Sequence, residues 1–171
     1  MSKRIGILTS GGDCPGLNAV IRAAVKTAVR VYGYRVFGIK DGFQGLVNRD
    51  SFIELNLNAV RGILPRGGTI LGTTNRGPFS VFFEKQQTPA KQKKTKRLID
   101  QALRRLRTEK IDSLIVIGGD GSLRLADEFH ERDYNIIGVP KTIDNDLSAT
   151  DYTFGFITAV NTAMDAIDKL H

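Results

Sequence analysis

"SLIVIGGDGSLRLADEF", residues 113–129, passes from a short Ile/Val-rich run into Gly-Gly-Asp-Gly-Ser and then into apolar positions at helical spacing. The first part, bounded by glycine, reads as a buried strand, and the last part as a short helix. The joint is built from residues with little or no side chain. That allows close approach to the backbone just where the first N–H groups of a helix lack internal partners.

Three more runs have the character of the first part: "RIGILTS" (4–10), "YRVFGIK" (34–40) and "NIIGVP" (135–140). Helical patterns lie between them. "GLNAVIRAAVKTAVRVYG" repeats apolar side chains at Leu17, Val20, Ile21, Ala24, Val25, Ala28 and Val29, with Gly33 as its stop. The last segment sets Ile157, Val160, Met164 and Ile167 on one stripe. Strands alternating with helices predict an α/β fold: an open, mostly parallel sheet with helices on both faces. The stretch 75–94, with two prolines and a polar run, reads as flexible. At 171 residues, a single domain is expected.

Such sheets bind ligands beyond the carboxyl ends of their strands, so the segments following the strands carry the functional reading. In "IGGDGS" the glycines, the N–H groups and Ser122 suit a phosphate. Asp120 would repel phosphate, so its natural partner is Mg²⁺ bridging phosphate oxygens. A helix cap would explain Asp or Ser singly, but not the double glycine. "TSGGDCPGLN" (9–18) resembles an anion-holding turn before a helix, and equally a plain tight turn. "RGGTILGTTNRGPF" (66–79) places Arg76 among small residues, where its planar fork could bridge phosphoryl oxygens or simply face solvent. "GVPKTIDND" (138–146) crowds Lys141, Thr142, Asp144 and Asp146 at a strand end. A polyphosphate with its metal at the neighbouring strand end would supply the cationic partner those carboxylates need. One Asp could then accept a hydroxyl proton while the other orients metal or base. Thr142 could touch the transferring group and Lys141 neutralise its charge. An Asx-rich turn accounts for only part of that string.

Composition narrows the classes further. The net charge of +7 is carried by residues 91–110, with nine Lys/Arg against two Asp/Glu, leaving sixteen against sixteen elsewhere. Ile99, Leu103 and Leu106 make that segment an amphipathic helix with a solvated basic face. Its lack of aromatics argues against single-strand nucleic-acid binding. The lone Cys14 leaves no disulfide partner. No apolar run is long enough to cross a membrane, and the N-terminus lacks secretory character, so a cytoplasmic protein is expected.

Taken in order, "GILTSGGDCPGLNA", "RGGTILGTTNRG", "VIGGDGS", "PKTIDND" and "TDYTFGFITA" resemble the N-terminal half of the 6-phosphofructokinase family, over nearly the whole chain. The resemblance implies phosphoryl transfer to the 1-hydroxyl of fructose 6-phosphate. It implies donor contacts from Gly12, Arg76, Gly77, Gly119, Asp120, Gly121 and Ser122, and Mg²⁺ at Asp120. Asp144 would be the proton acceptor, with Thr142 and Ile143 beside it at the sugar hydroxyl and Asp146 assisting. Arg22 and Lys26 fall where some bacterial members hold an effector.

In that family a glycine at position 121 accompanies ATP use, because a carboxylate there would crowd and repel the α-phosphate; Lys141 is more typical of pyrophosphate users. ATP is the expected donor and pyrophosphate the alternative. Family members are much longer. The resemblance thus implies one nucleotide-binding lobe over 1–171, an absent sugar-phosphate lobe, exposed apolar surface, and homo-oligomers in full-length relatives. A related scaffold such as an NAD or lipid kinase, or a non-catalytic nucleotide-binding remnant, remains the competing reading.

Overall fold

A computed structural model of the chain describes residues 2–74, 76–84, 88–148 and 150–170. The elements are β1 (Arg4–Thr9), α1 (Leu17–Arg30), β2 (Arg35–Ile39), a 3₁₀ turn (Gly42–Leu46), β3 (Phe52–Glu54), α2 (Ser80–Phe83), α3 (Pro89–Thr108), β4 (Ser113–Gly118), α4 (Asp120–His130), β5 (Ile136–Thr142), β6 (Phe154–Gly155) and α5 (Phe156–Asp168).

The four apolar runs form the middle of one six-stranded sheet of order β3-β2-β1-β4-β5-β6, all parallel except β3, which runs antiparallel to β2. Their unbroken apolar character follows from burial on both faces. In β1, Ile7 joins Leu17, Ile21 and Val25 of α1, while its neighbour Leu8 joins the opposite cluster, with Ile99, Leu103 and Leu106 of α3 and Leu125 and Phe129 of α4. β4 alternates likewise: Leu114 and Val116 meet α3 and α4, and Ile117 meets the α1 side.

Helix ends follow local chemistry. α1 stops where Gly33 takes φ 63° and the Tyr34 N–H returns to the Ala28 carbonyl at 2.9 Å, a left-handed cap that glycine adopts most cheaply. α3 starts with the Thr88 hydroxyl accepting from the Lys91 N–H at 3.3 Å and Pro89 in its first turn.

The chain lays β2 and β3 to one side of β1, then returns to lay β4, β5 and β6 on the other. The carboxyl ends of β1 and β4 therefore flank the point where the order reverses, the place where open α/β sheets leave a crevice.

Three sequence expectations need correction. β5 runs past Pro140 through Lys141 and Thr142, so these two residues are strand rather than loop. β3 and β6 are additional short strands. The stretch 75–94 is not one irregular segment: α2 and the first turns of α3 lie within it, while Asn75 and residues 85–87 fall outside the described residues. The expected apolar stripe of α5 is present and uncovered, with Ile157, Val160, Met164 and Ile167 between 40% and 56% exposed. Among the described residues no helix is long and apolar enough to cross a membrane.

Candidate active site

Side chains and backbone stitch the tips of β1, β4 and β5 together. The Ser10 N–H donates to the Ile117 carbonyl at 2.9 Å, and the buried Ser122 hydroxyl lies 3.0 Å from that of Ser10. Lys141, only 5% exposed, reaches across from β5 to donate from Nζ to the Gly12 carbonyl at 2.5 Å. Between these tips lies a hollow of about 550 Å³, lined by residues 10–13, Phe83, 119–122 and 141–144. Asp120 and Asp144 thus face one shared space.

Glycine keeps the backbone close at this strand-to-helix joint. A Cβ on Gly118 would lie 2.4 Å from the Ser122 Cβ, and one on Gly121 would press the Phe83 ring at 3.1 Å. Gly119 stands at the N-cap of α4 in extended conformation, and the first intrahelical bond is Leu123 N–H to the Gly119 carbonyl. The N–H groups of Asp120, Gly121 and Ser122 are left without helical partners at the edge of the hollow. Partnerless donors at the positive end of a helix favour an anion there.

Two ionisable groups are held away from their ordinary behaviour. Asp120 accepts from Arg124, one turn along α4, through Nε at 2.9 Å and also through Nη2; this bond, aided by the nearby positive charge, lowers its pKa. Burial pulls the Lys141 ammonium below the usual lysine range, partly offset by Cys14 and Asp13. A buried ammonium beside partnerless N–H groups gains most from an anion.

The segment after β5 orders itself around Thr142. The Asp144 N–H donates to Thr142 Oγ1 at 3.1 Å, and that hydroxyl donates to Asp146 Oδ1 at 3.1 Å. Asp146 therefore does not line the hollow, but is tied to it through Thr142. Between the two aspartates, Asn145 turns away. Its Oδ1 accepts from the Thr153 N–H at 3.0 Å, and its Nδ2 donates to the Asp151 carbonyl at 3.2 Å. Buried Thr153 closes the loop by donating to the Thr142 carbonyl at 3.1 Å.

Of the residues singled out from sequence, Gly12, Gly119, Asp120, Gly121, Ser122, Lys141, Thr142, Ile143 and Asp144 come together on this hollow. Arg76 and Gly77 do not line it. Their loop is tied to the β1 tip by Thr73 Oγ1 donating to the Gly11 carbonyl at 2.6 Å, yet Arg76 is exposed and Gly77 packs under Gln44. Arg22 and Lys26 border a separate hollow of about 320 Å³ with Arg30 and Arg61.

Sequence reasoning missed Ser10, Phe83, Asn145 and Thr153. Ser10 directly precedes Gly-Gly, and the doublet Phe82-Phe83, just ahead of a polar run, was the available signal for an aromatic held near a ligand. Phe83 and Gly121 also line a second hollow of about 600 Å³ bordered by Phe82, Gln92, Lys96 and Arg124.

No group of three or more His, Cys, Asp or Glu side chains poised for a metal occurs among the described residues. Asp120 alone fits a Mg²⁺ that arrives on a polyphosphate, since that ion keeps several waters and needs one or two carboxylates besides phosphate oxygens.

The chain is 52% identical over 170 residues to an ATP-dependent 6-phosphofructokinase 2 from Clostridium perfringens, covering 99% of this chain and 45% of the relative. It is 51% identical over 172 residues to a pyrophosphate–fructose 6-phosphate 1-phosphotransferase from Streptomyces coelicolor, covering 98% of this chain and 45% of the relative. A solved phosphofructokinase from Saccharomyces cerevisiae superposes with TM-score 0.84 at 32% identity, over 99% of this chain and 24% of that one. The chain thus spans under half the length of these curated relatives. Since the phosphofructokinase family model also runs through residues 4–171, taking in every strand tip of the hollow, the chain belongs to the phosphofructokinase family.

Proposed function

We propose that residues 1–171 form a single nucleotide-binding lobe of a glycolytic phosphotransferase, which moves a phosphoryl group from ATP to the 1-hydroxyl of fructose 6-phosphate. One observation carries this reading: Asp120 and Asp144 line the same hollow between the tips of β1, β4 and β5. The free N–H groups opening α4, Ser122 and the backbone of Gly11 and Gly12 hold the donor phosphates. Asp120 would hold a Mg²⁺ arriving with the donor, and that ion would neutralise charge on the phosphates.

Asp144 takes the proton from the attacking hydroxyl at its carboxylate, beside Ile143. Thr142 fixes the Asp144 backbone and holds Asp146. Lys141 contributes positive charge at the floor, and Arg76 and Gly77, outside the hollow on the loop tied to Gly11, meet the part of the donor that extends beyond it. A base at Asp144 is worth about 10²–10⁴-fold in rate.

ATP fits the side-chain-free Gly121, a residue that this hollow shares with the second one. Pyrophosphate is the second reading, favoured by the buried Lys141 ammonium and by relatives named for each donor. The working protein on this reading is a cytoplasmic homo-oligomer completed by a sugar-phosphate lobe.

Thermal melting with each magnesium-bound donor tests the site. A donor at about 100 times its Kd adds about 2.7 kcal/mol to stability, a rise of several degrees. Asp144→Asn should keep that rise yet lose at least about 10²-fold in transfer to fructose 6-phosphate, assayed with the C-terminal half of a relative added. No rise with either donor would refute the reading.

A further inference from the structure

We propose that Phe83 determines which donor the site accepts, by forming with Gly121 the passage that a nucleoside must occupy and pyrophosphate does not reach; this rests on the donor-site reading above. The two hollows share Phe83 and Gly121 among their lining residues. A pyrophosphate held by the N–H groups at the start of α4 is contained within the first hollow. A nucleoside triphosphate anchored by the same N–H groups has to send its sugar and base onward, past the one aromatic ring and the one bare backbone that the two spaces have in common.

Phe83 suits that task. It is 43% exposed although its neighbours on α2, Val81 and Phe82, are respectively buried and half-buried. Phe82 and Phe83 stand perpendicular, with centroids 5.4 Å apart, and Phe83 borders both hollows. An exposed flat ring gains by covering a base, and does so without needing a hydrogen-bond pattern. Gly121 is the matching half. Two ring atoms of Phe83 lie 3.1 Å from where a Cβ on residue 121 would stand, so ring and side chain compete for the same space. A side chain at 121 would therefore press on the ring that forms the nucleoside wall.

Isothermal titration of the chain with MgATP and with magnesium pyrophosphate tests this. Phe83→Ala should weaken MgATP about tenfold, the loss expected for one ring–base stack, and leave pyrophosphate within about twofold. Phe83→Trp should keep MgATP binding near the wild-type value. Equal weakening of both donors by Phe83→Ala, or no change in either, would overturn the proposal. So would a wild-type chain that binds pyrophosphate but not MgATP, an outcome that leaves the phosphotransferase reading standing. A wild-type chain that binds neither donor removes the donor site itself.

Discussion

Asn145 sits in the left-handed region, φ 52°, between the two aspartates of the candidate site. That conformation costs most L-residues roughly 1–2 kcal/mol, and asparagine and glycine tolerate it best. Here the side chain also supplies the bonds to Thr153 and Asp151 that close the loop behind Thr142. The two contributions separate by mutation. Asn145→Gly keeps the backbone permissive but deletes the bonds, and should cost about 1–3 kcal/mol. Asn145→Ala deletes the bonds and adds the backbone strain, so it should be worse than glycine by about 1 kcal/mol, the reverse of the order in helices. Urea unfolding of the two variants reads the difference directly. Equal stability would mean that the turn is held by its neighbours rather than by Asn145.

At the scale of elements, Tyr134 joins the end of α4 to the entrance of β4, at the opposite edge of the sheet from the hollow. Its hydroxyl donates to the Ile111 carbonyl at 2.6 Å, and burial, with the Asp112 charge second, raises its pKa well above the ordinary phenol value. In the unfolded chain that phenol ionises near 10. Above about pH 10 the unfolded state therefore holds fewer protons than the folded one, and stability falls as pH rises. Tyr134→Phe should lose about 1 kcal/mol at neutral pH for the missing bond, yet decline less steeply above pH 10. Because Cys14 and Lys141 titrate nearby, the quantity to measure is the difference in urea unfolding between variant and wild type across pH 7–11. Parallel curves would exclude Tyr134 as a contributor.

The same scale shows what the sequence made legible. The central strands could be read because burial on both faces forces unbroken apolar runs, and α1 because its apolar residues recur at helical spacing and Gly33 closes it. β3 and β6, of three and two residues, are too short to show a period. α2 is a four-residue helix without an N-cap bond from a side chain, so no local signal marks it. The site was legible wherever glycine and charge cluster at strand ends. It was hidden wherever a residue acts through distant contact: Phe83 arrives from α2, and Thr153 serves Thr142 across eleven positions.

Across the whole molecule, the positive charge is local. Lys93, Lys94, Lys96, Arg97, Arg104 and Arg107 all stand exposed on α3, while Ile99, Leu103 and Leu106 of the same helix are buried in the core. The lopsided charge read from residues 91–110 is therefore one side of one helix, and the remainder of the chain balances. Gln92, Thr95 and Lys96 of this helix border the hollow next to the candidate phosphate site. A polyanion diffusing toward that mouth would feel an attractive field reaching about 8–10 Å at physiological salt and farther in dilute buffer. Capture should accordingly be a kinetic matter. Stopped-flow rates for MgATP association should drop severalfold between about 0.01 and 0.15 M ionic strength, with dissociation nearly constant. Reversing Lys93, Arg97 and Arg104 to glutamate should erase that salt response, so that α3 acts as a guide during approach and has no part in the grip that follows.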